Sequence, residues 1–439
     1  LEHRQAAVSK AWNTVSEAPA IPLPPGTANE PPALSARRSE AARRAADLPP
    51  PAPHDEEWRR TDPARFPLDA WPPVHLEPRP PRPADADPLD EFFDVVIEMD
   101  GSGWSVRDRG GVTQSGRIAV LSLAEAAERH PDAVETLWTL EPAVRPRDRH
   151  EWAAMAAAAG VFIRVEPGAE FARGVLVRVR QPAGRWFCPL TMLDVSERST
   201  LHVVSAILSE PGDGLAAETV RYRVGAGGRL RLARLQLCAG GPSQMEFVHG
   251  RLSEDAQLDA VSVHLGGAAV RSRVGAEAAG RGAGVRIGGL LLAAGTEQAD
   301  QQTVQIHSAP DTTSDLLFKA AVRDRARSVY RGLIAAHRGA VRIAAYQKNQ
   351  NLILNEGARV DSLPGLRIDA DDLTCTHGAT IGSLDPDELF YLRSRGLPES
   401  VARRLILEGF FEEIVSRLAM PALRDVVRRH LAERMDAPA

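Results

Sequence analysis

The sequence predicts a mainly β protein: a right-handed parallel β-helix, or solenoid, spanning 161–383, flanked by helical subdomains. The N-terminal one, 1–160, includes a proline-rich arm, and the C-terminal one occupies 384–439. Three observations carry this. At Gly160 the patterning changes to short runs such as VFIRVEPG, GVLVRVR, STLHVVSAIL and RLRLARLQL, which alternate or run apolar and stop at Gly, Asp, Glu or Ser. About ten such strands follow one another to Ile381, with small-residue corners at Gly339-Ala340, Gly357-Ala358 and Gly378-Ala379. These corners lie 18 and 21 residues apart, a spacing that suits one coil of a stacked repeat. A β-sandwich or barrel is the competing architecture.

Composition sets the limits. The 439 residues exceed what one compact core accommodates, so two or three regions are expected. With 44% hydrophobic and 25% charged residues the chain reads as an ordinary soluble globular protein. A formal charge of −5 and the lack of a long basic run argue against a nucleic-acid surface held by phosphate contacts. No run of apolar residues is long enough to cross a membrane as a helix, and the first residues lack a signal-peptide layout. Three distant cysteines, Cys188, Cys238 and Cys375, are the wrong number for a disulfide framework, so a reducing cytoplasm is expected.

Along the chain, 19 of the 33 prolines fall between Pro19 and Pro88, which marks an arm broken into short pieces. Within it, Ala33 to Leu48 is Ala- and Arg-rich and reads as one helix, with Ser35 or Ser39 near its start. LSLAEAAERH and HEWAAMAAAAG, between Leu121 and Gly160, read as helices again. After Ile381, Asp385-Pro386-Asp387-Glu388 places an acceptor at the N-cap, proline at N1 and glutamate at N3, so a helix starts there and ends near Gly396. Pro398 opens a second helix whose apolar residues, from Val401 through Leu405, Phe410, Phe411 and Ile414 to Leu418, are too many for one face. The surplus face needs cover from another part of the chain or from a partner.

Cys375 and His377 are two apart and share a face of any strand that contains them. Thiolate and imidazole are both iron ligands, and two donors leave positions for a partner to complete. The bland alternative is a small buried thiol and a hydrogen-bonded histidine. His307 and His337 read as structural, and Asp369, Asp371 and Asp372 as solvated corner formers. Cys188 and Cys238 sit in apolar strands and read as core filling. Arg323 to Arg331 reads as a solvated strand edge.

From Gln305 to Val415 the chain resembles the SufB/SufD family of iron–sulfur cluster assembly. The elements that carry the resemblance are His307-Ser308-Ala309-Pro310, Ser328 to Ile334 (SVYRGLI), Asn351-Leu352-Ile353-Leu354, Asp371-Asp372, Cys375 to Gly382 (CTHGATIG) and Leu389 to Gly396 (LFYLRSRG). Weaker support comes from Glu56 to Asp62 (EEWRRTD) and Gly160-Val161-Phe162-Ile163. SufB-type chains carry a sulfur-accepting cysteine just before the Asn351 segment, where this chain has Asn349, and follow the histidine with glutamate, where this chain has Gly378. An amide cannot carry a persulfide, so the resemblance is to the SufD type.

The resemblance implies a non-catalytic scaffold that pairs with a SufB-type subunit; whether the isolated chain forms a homodimer instead is left open by the sequence. It implies docking of a SufC-type ATPase on the C-terminal helices, for which Leu389, Phe390, Leu405, Phe410, Phe411 and Ile414 are the candidates. It also implies that His377, with Cys375, lies near a transient iron–sulfur cluster or iron at the subunit interface, with no cofactor held stably by this chain alone. No GxxxxGK[ST] phosphate loop occurs, so ATP hydrolysis is left to the partner. The rival readings are a β-solenoid enzyme acting on polysaccharide or acyl groups, and a SufB-like sulfur acceptor, which Asn349 opposes.

Overall fold

The computed structural model describes residues 30–436 apart from 69, 75, 82–86, 142–146, 172 and 239. The part of the proline-rich arm before residue 30, and its stretch 82–86, lie outside the described residues. The architecture is a parallel β-solenoid of about eight turns with helices at both ends of the chain. Two sheets face each other across a filled lumen.

The first sheet runs, in spatial order, Gly103–Asp108, Val95–Asp100, Val175–Gln181, Thr200–Ser209, Arg229–Leu237, Gln257–Leu265, Gly284–Ala293, Thr313–Val322, Ile343–Ile353, Leu373–Gly382. The second runs Arg359–Ile368, Arg327–Ala336, Gln298–His307, Ala269–Ala278, Ser243–Leu252, Leu215–Val224, Pro189–Val195, Ala159–Val165, Ile118–Ser122. The chain alternates between them, so each coil uses one strand of each sheet. Strand neighbours in the first sheet are offset by 28, 27, 29 and 31 residues, from Arg229↔Gln257, Gln257↔Gly284, Gly284↔Thr313 and Thr313↔Ala344. The 18-residue step between Gly339 and Gly357 is therefore about half a coil, and 17 strands rather than ten lie between Ala159 and Gly382.

Gly339 and Gly357 do turn corners, with φ +86° and +101°, where a side chain would be strained. Gly378 lies inside the strand Leu373–Gly382 and is not a corner. Several corners instead use aspartate at positive φ, namely Asp255, Asp311, Asp324 and Asp372, because its short side chain tolerates the left-handed region.

The stretch 1–160 is not purely helical. Val95–Asp100 and Gly103–Asp108 form an antiparallel hairpin, and the hairpin's inner strand continues the first sheet by pairing in parallel with Val175–Gln181. Ile118–Ser122 closes the second sheet by antiparallel pairing with Ala159–Val165. The strands thus cap the N-terminal end of the stack.

Four helices precede the solenoid proper: α1 (Pro32–Asp47), α2 (Leu123–Arg129), α3 (Pro131–Thr139) and α4 (Arg149–Ala156). Helix α1 begins after Pro31 with Pro32 in its first turn, so neither Ser35 nor Ser39 caps it. Helix α2 has a complete Ser122–Glu125 capping box. Helix α1 packs on α4, and their apolar faces join Trp58, Trp138 and Trp152 over Leu190, Leu215, Met245 and Phe247 of the second sheet's outer face.

Three helices follow the solenoid: α5 (Pro386–Ser394), α6 (Glu399–Val415) and α7 (Pro421–Asp436). Asp385 caps α5 as expected, its carboxylate accepting from the Asp387 amide at 2.8 Å. Leu418 falls in the turn after α6, and α7 is a helix that the sequence reading left unassigned. Ala402, Leu407, Phe411, Ile414 and Val415 of α6 are buried. With Leu423, Val427 and Leu431 of α7 they cover Val261, Val263, Leu290, Leu292 and Leu317 on the outer face of the first sheet.

The surplus apolar face of α6 is thus covered by the chain's own solenoid. Phe411 and Ile414 are fully buried there and inaccessible to any partner, which corrects their assignment to a docking face. Phe411→Ala should cost about 3–5 kcal/mol in urea unfolding, from lost burial plus the cavity left behind. His307 is buried with both ring nitrogens paired to hydroxyls, and burial holds its pKa down to about 4. Its neutral form therefore stabilises the fold fully above about pH 6.5, and that contribution falls as the pH drops towards 4. The melting temperature should fall between pH 7 and pH 5, and the slope should be shallower in His307→Gln.

Candidate functional site

Parity along Ile343–Ile353 fixes which side chains face the lumen. Ile343, Ala345, Gln347, Asn349 and Asn351 are buried, while Ala344 and Tyr346 are exposed. Register then places Cys375 on Ala345, His377 on Gln347, Ala379 on Asn349 and Ile381 on Asn351. Cys375 and His377 therefore belong to the lumen-facing row, but in the last strand of the first sheet, where no further strand covers them among the described residues. A row that is interior everywhere else becomes surface at this end.

The two donors have different surroundings. Cys375 is half-buried beside Ile334, Ala336, Ala340, Ile343 and Ala345, and burial pushes its thiol pKa up, so it is protonated at neutral pH until a metal or base displaces the proton. His377 is exposed. Among the described residues no cluster of three or more His, Cys, Asp or Glu side chains is arranged to hold a metal. Cys375 and His377 are two neighbouring donors at an open mouth, and a complete coordination shell needs groups from elsewhere.

The mouth is also apolar and has free strand edges. Arg359–Ile368 and Leu373–Gly382 end their sheets, and Ile381 is 49% exposed, with Leu366 and Ile368 close behind. Unpaired backbone groups on such edges are ready to pair with another chain.

One coil inward, Asn349 is completely buried and held on all sides. Its amide donates to the Phe318 carbonyl at 3.3 Å, and its oxygen accepts from Asn351 at 2.6 Å and from the Ser362 hydroxyl at 2.7 Å. The position is a structural hydrogen-bond node without redox chemistry.

The remaining sequence candidates separate cleanly. His337 shares a hydrogen bond with the Ser308 hydroxyl at 3.1 Å, and His307 is held by the Thr312 and Ser314 hydroxyls, the latter on the inward row that leads to Cys375. Asp372 is a corner residue whose carbonyl accepts from the Arg342 amide at 2.6 Å, and Asp369 pairs with Arg367 on the surface. Cys188 and Cys238 are buried core thiols, the latter with its pKa pushed up to about 11 by burial. The strand edge expected at Arg323 to Arg331 is not one, because Arg327–Ala336 is paired on both sides: Arg325 is exposed in the preceding corner, Arg327 pairs with Asp361, and Arg331 is buried and lies 3.4 Å from Glu57.

That contact belongs to a strap missed by the sequence reading. Glu57 to Thr61 crosses the outer face of the second sheet. The Trp58 ring lies 3.9 Å beneath the Arg271 guanidinium, Thr61 donates to Asp300 at 2.6 Å, and Gln298 donates to the Arg60 carbonyl at 2.8 Å. Arg271 also pairs with Asp300. The alternation of Arg and Asp with apolar residues in these strands resembles a solvated face, and only the tryptophan of EEWRRTD hinted at a cover.

At the C-terminal helices the docking candidates divide. Phe390 is 73% exposed, Tyr391 beside it is exposed, Leu405 is 41% exposed and Leu389 is half-buried, while α5 packs on α6. Phe410 is half-buried under Lys319, whose ammonium sits 4.9 Å from its ring and donates to its carbonyl at 2.9 Å. The accessible apolar surface is therefore Phe390, Tyr391 and Leu405. No helix among the described residues is long and apolar enough to cross a membrane.

Comparison with known proteins gives the family. The family model described as "SUF system FeS cluster assembly, SufBD core domain" matches residues 178–410, more than half of the chain. An iron–sulfur cluster assembly SufBD family protein of Mycobacterium tuberculosis is 33% identical over 227 residues, covering 50% of this chain and 57% of that protein. The iron–sulfur cluster assembly protein SufD of Escherichia coli is 30% identical over 249 residues, covering 56% and 59%. SufD of Bacillus subtilis is 36% identical over 129 residues, covering 29% of this chain and 30% of that protein. The matched stretch spans less than two thirds of each relative. With a family model matching more than half of its length, the chain belongs to the SufB/SufD core family of the SUF iron–sulfur cluster assembly system.

Proposed function

We propose that this chain is a SufD-type scaffold subunit for iron–sulfur cluster assembly. It pairs through the open end of its solenoid with a SufB-type subunit and carries a SufC-type ATPase on α5 and α6. The observation that carries the reading is the lumen-facing row that ends in Cys375 and His377 on an uncapped coil. There a partner can add a strand to each free edge, bury Leu366, Ile368 and Ile381, and supply the missing donors in one step.

Iron or a nascent cluster is cargo in this scheme. His377 offers an accessible imidazole, and Cys375 becomes a ligand on loss of its thiol proton. Asn349 supports the SufD over the SufB assignment, since its amide is fixed by three hydrogen bonds where a sulfur acceptor would need a thiolate. Phe390, Tyr391 and Leu405 form the ATPase-facing surface, because apolar side chains this exposed are stabilised by covering them. ATP-driven movement of that partner would reach the mouth through α6, which is anchored to the same sheet that ends in Leu373–Gly382.

Light-scattering mass of the mixed subunits tests the assembly. Phe390→Asp with Leu405→Asp should leave the melting temperature within about 2 °C of native, as surface changes do, and abolish ATPase binding. An unchanged hetero-complex in that double variant sinks the docking assignment. His377→Ala should leave the complex mass unaltered and reduce iron retained after reconstitution at least about tenfold, the effect of removing one good ligand. Full iron retention in the complex without His377 and Cys375 would remove the mouth from the assembly chemistry.

A further inference from the structure

The lumen is not uniformly apolar. On the second sheet one inward row reads Glu218, Glu246, Ser272, Gln301, Tyr330, Ser362 in six successive coils, each in register with the next. Its inner end is a buried ion cluster: Arg234 from the opposite sheet pairs with both Glu218 and Glu246, and Ser205 donates to Glu218 at 2.5 Å. Ser272 donates to Glu246. The outer end is bonded too, with Tyr330 and Thr303 hydroxyls 2.8 Å apart and Ser362 bonded to Asn349.

Between these ends the row is interrupted. Both amide atoms of Gln301, the oxygen of Gln305 and both amide atoms of Gln347 are buried and have no hydrogen-bond partner among the described residues. The three side chains are at most 1% exposed. Gln347 reaches across the lumen to lie on Gly332 of the facing sheet, where any side chain would collide with its amide. Gly332 is in register with Thr303 of the preceding coil, and Gln347 with His377 of the following one. The Gln305 nitrogen is occupied by Ser314 at 2.7 Å, which leaves its buried oxygen without a partner among the described residues.

Buried amides left without partners are costly, and a polar space lined by several of them is where ordered water resides. We propose that the C-terminal part of the lumen binds a short file of ordered water seated on Gln301, Gln305 and Gln347, joining the hydrogen-bonded row of the buried ion cluster to the open mouth beneath His377. With about three hydrogen bonds to each water, five orphan amide atoms and the flanking hydroxyls call for about two or three molecules. They exchange with solvent through the mouth, the one end of the stack that no strand caps among the described residues. The inference concerns the isolated chain and stands whether or not His377 meets iron.

The test compares the full-length chain with Gln301→Leu and Gln347→Leu, using circular dichroism to establish that both variants fold. Water magnetic relaxation dispersion should show at least one fewer long-lived internal water in each variant, and a high-resolution crystal structure of the native chain should show solvent density bonded to all three amides. The proposal is overturned if the three amides bond only to each other or to main-chain carbonyls with no solvent density between them. It is equally overturned if both variants fold and keep the native number of long-lived waters.

Discussion

A stack of coils is satisfied from within except at its two ends, and the treatment of those ends organises the whole molecule. Each coil lends its backbone groups and its inward side chains to the coils on either side, so an interior coil needs nothing further. At the N-terminal end the problem is solved by reversal. An antiparallel hairpin, Val95–Asp108, and an antiparallel strand, Ile118–Ser122, turn the two growing sheets back on themselves. At the other end Arg359–Ile368 and Leu373–Gly382 are left as the last strands, and the row that carries Ala345 and Gln347 inside the stack carries Cys375 and His377 outside it. The candidate site is thus a product of stacking geometry before it is a product of special residues.

The two broad outer faces need cover as well, and each is covered by a different chemistry. On the first sheet α6 and α7 supply leucine, isoleucine, valine and phenylalanine against a row of aliphatic side chains. On the second sheet much of the contact is ionic. Glu151 of α4 is buried within 2.5 Å of Arg221, 3.2 Å of Arg273 and 3.6 Å of Arg147, and the strap adds Glu57 and Trp58 over Arg331 and Arg271. Desolvating so many charges offsets much of their attraction, so these ion pairs contribute less net stability than the tryptophan, leucine and methionine contacts packed beside them. The helical layer over the first sheet carries the exposed Phe390 and Leu405, and the ionic layer over the second holds the N-terminal segment in one register.

How far the sequence could be read follows from the same physics. Short apolar strands with glycine corners were enough to identify a solenoid, and Asp385-Pro386 marked the start of α5 to the residue. The pairing of Cys375 with His377 on one face also followed from strand periodicity. Coil length did not, because corners occur at both edges of each coil and several of them use aspartate or arginine rather than glycine, as at Asp255, Asp311 and Arg342. The inner hairpin strand and Ile118–Ser122 were missed as parts of the stack because their partners there lie far along the chain, at Val95↔Val175 and Ile118↔Val165, a pairing invisible to local pattern. Arg234 and Glu246 alternate with apolar neighbours as solvent-facing residues do, yet they point inward, and Gln301 is buried inside a run of polar residues. The burial of Phe411 and Ile414 depended on which face of α6 meets the first sheet, and a helix apolar on more than one side leaves that choice to tertiary packing.

The regular offset between coils makes the solenoid a ruler. Neighbouring strands of a sheet lie about 4.8 Å apart, so each coil advances the shaft by one such step. The coil that runs from Gln257 to Ala283 is bounded by positions in register, Gln257 and Gly284, and its removal or duplication would shift the mouth relative to the N-terminal cap by one step without altering either. α6 and α7 would not share that freedom. They grip strands of several successive coils, from Gln257–Leu265 to Thr313–Val322, and so pin the length of the shaft to the length of two helices. The distance between the mouth and the surface of α5 is in this sense gauged by the helices.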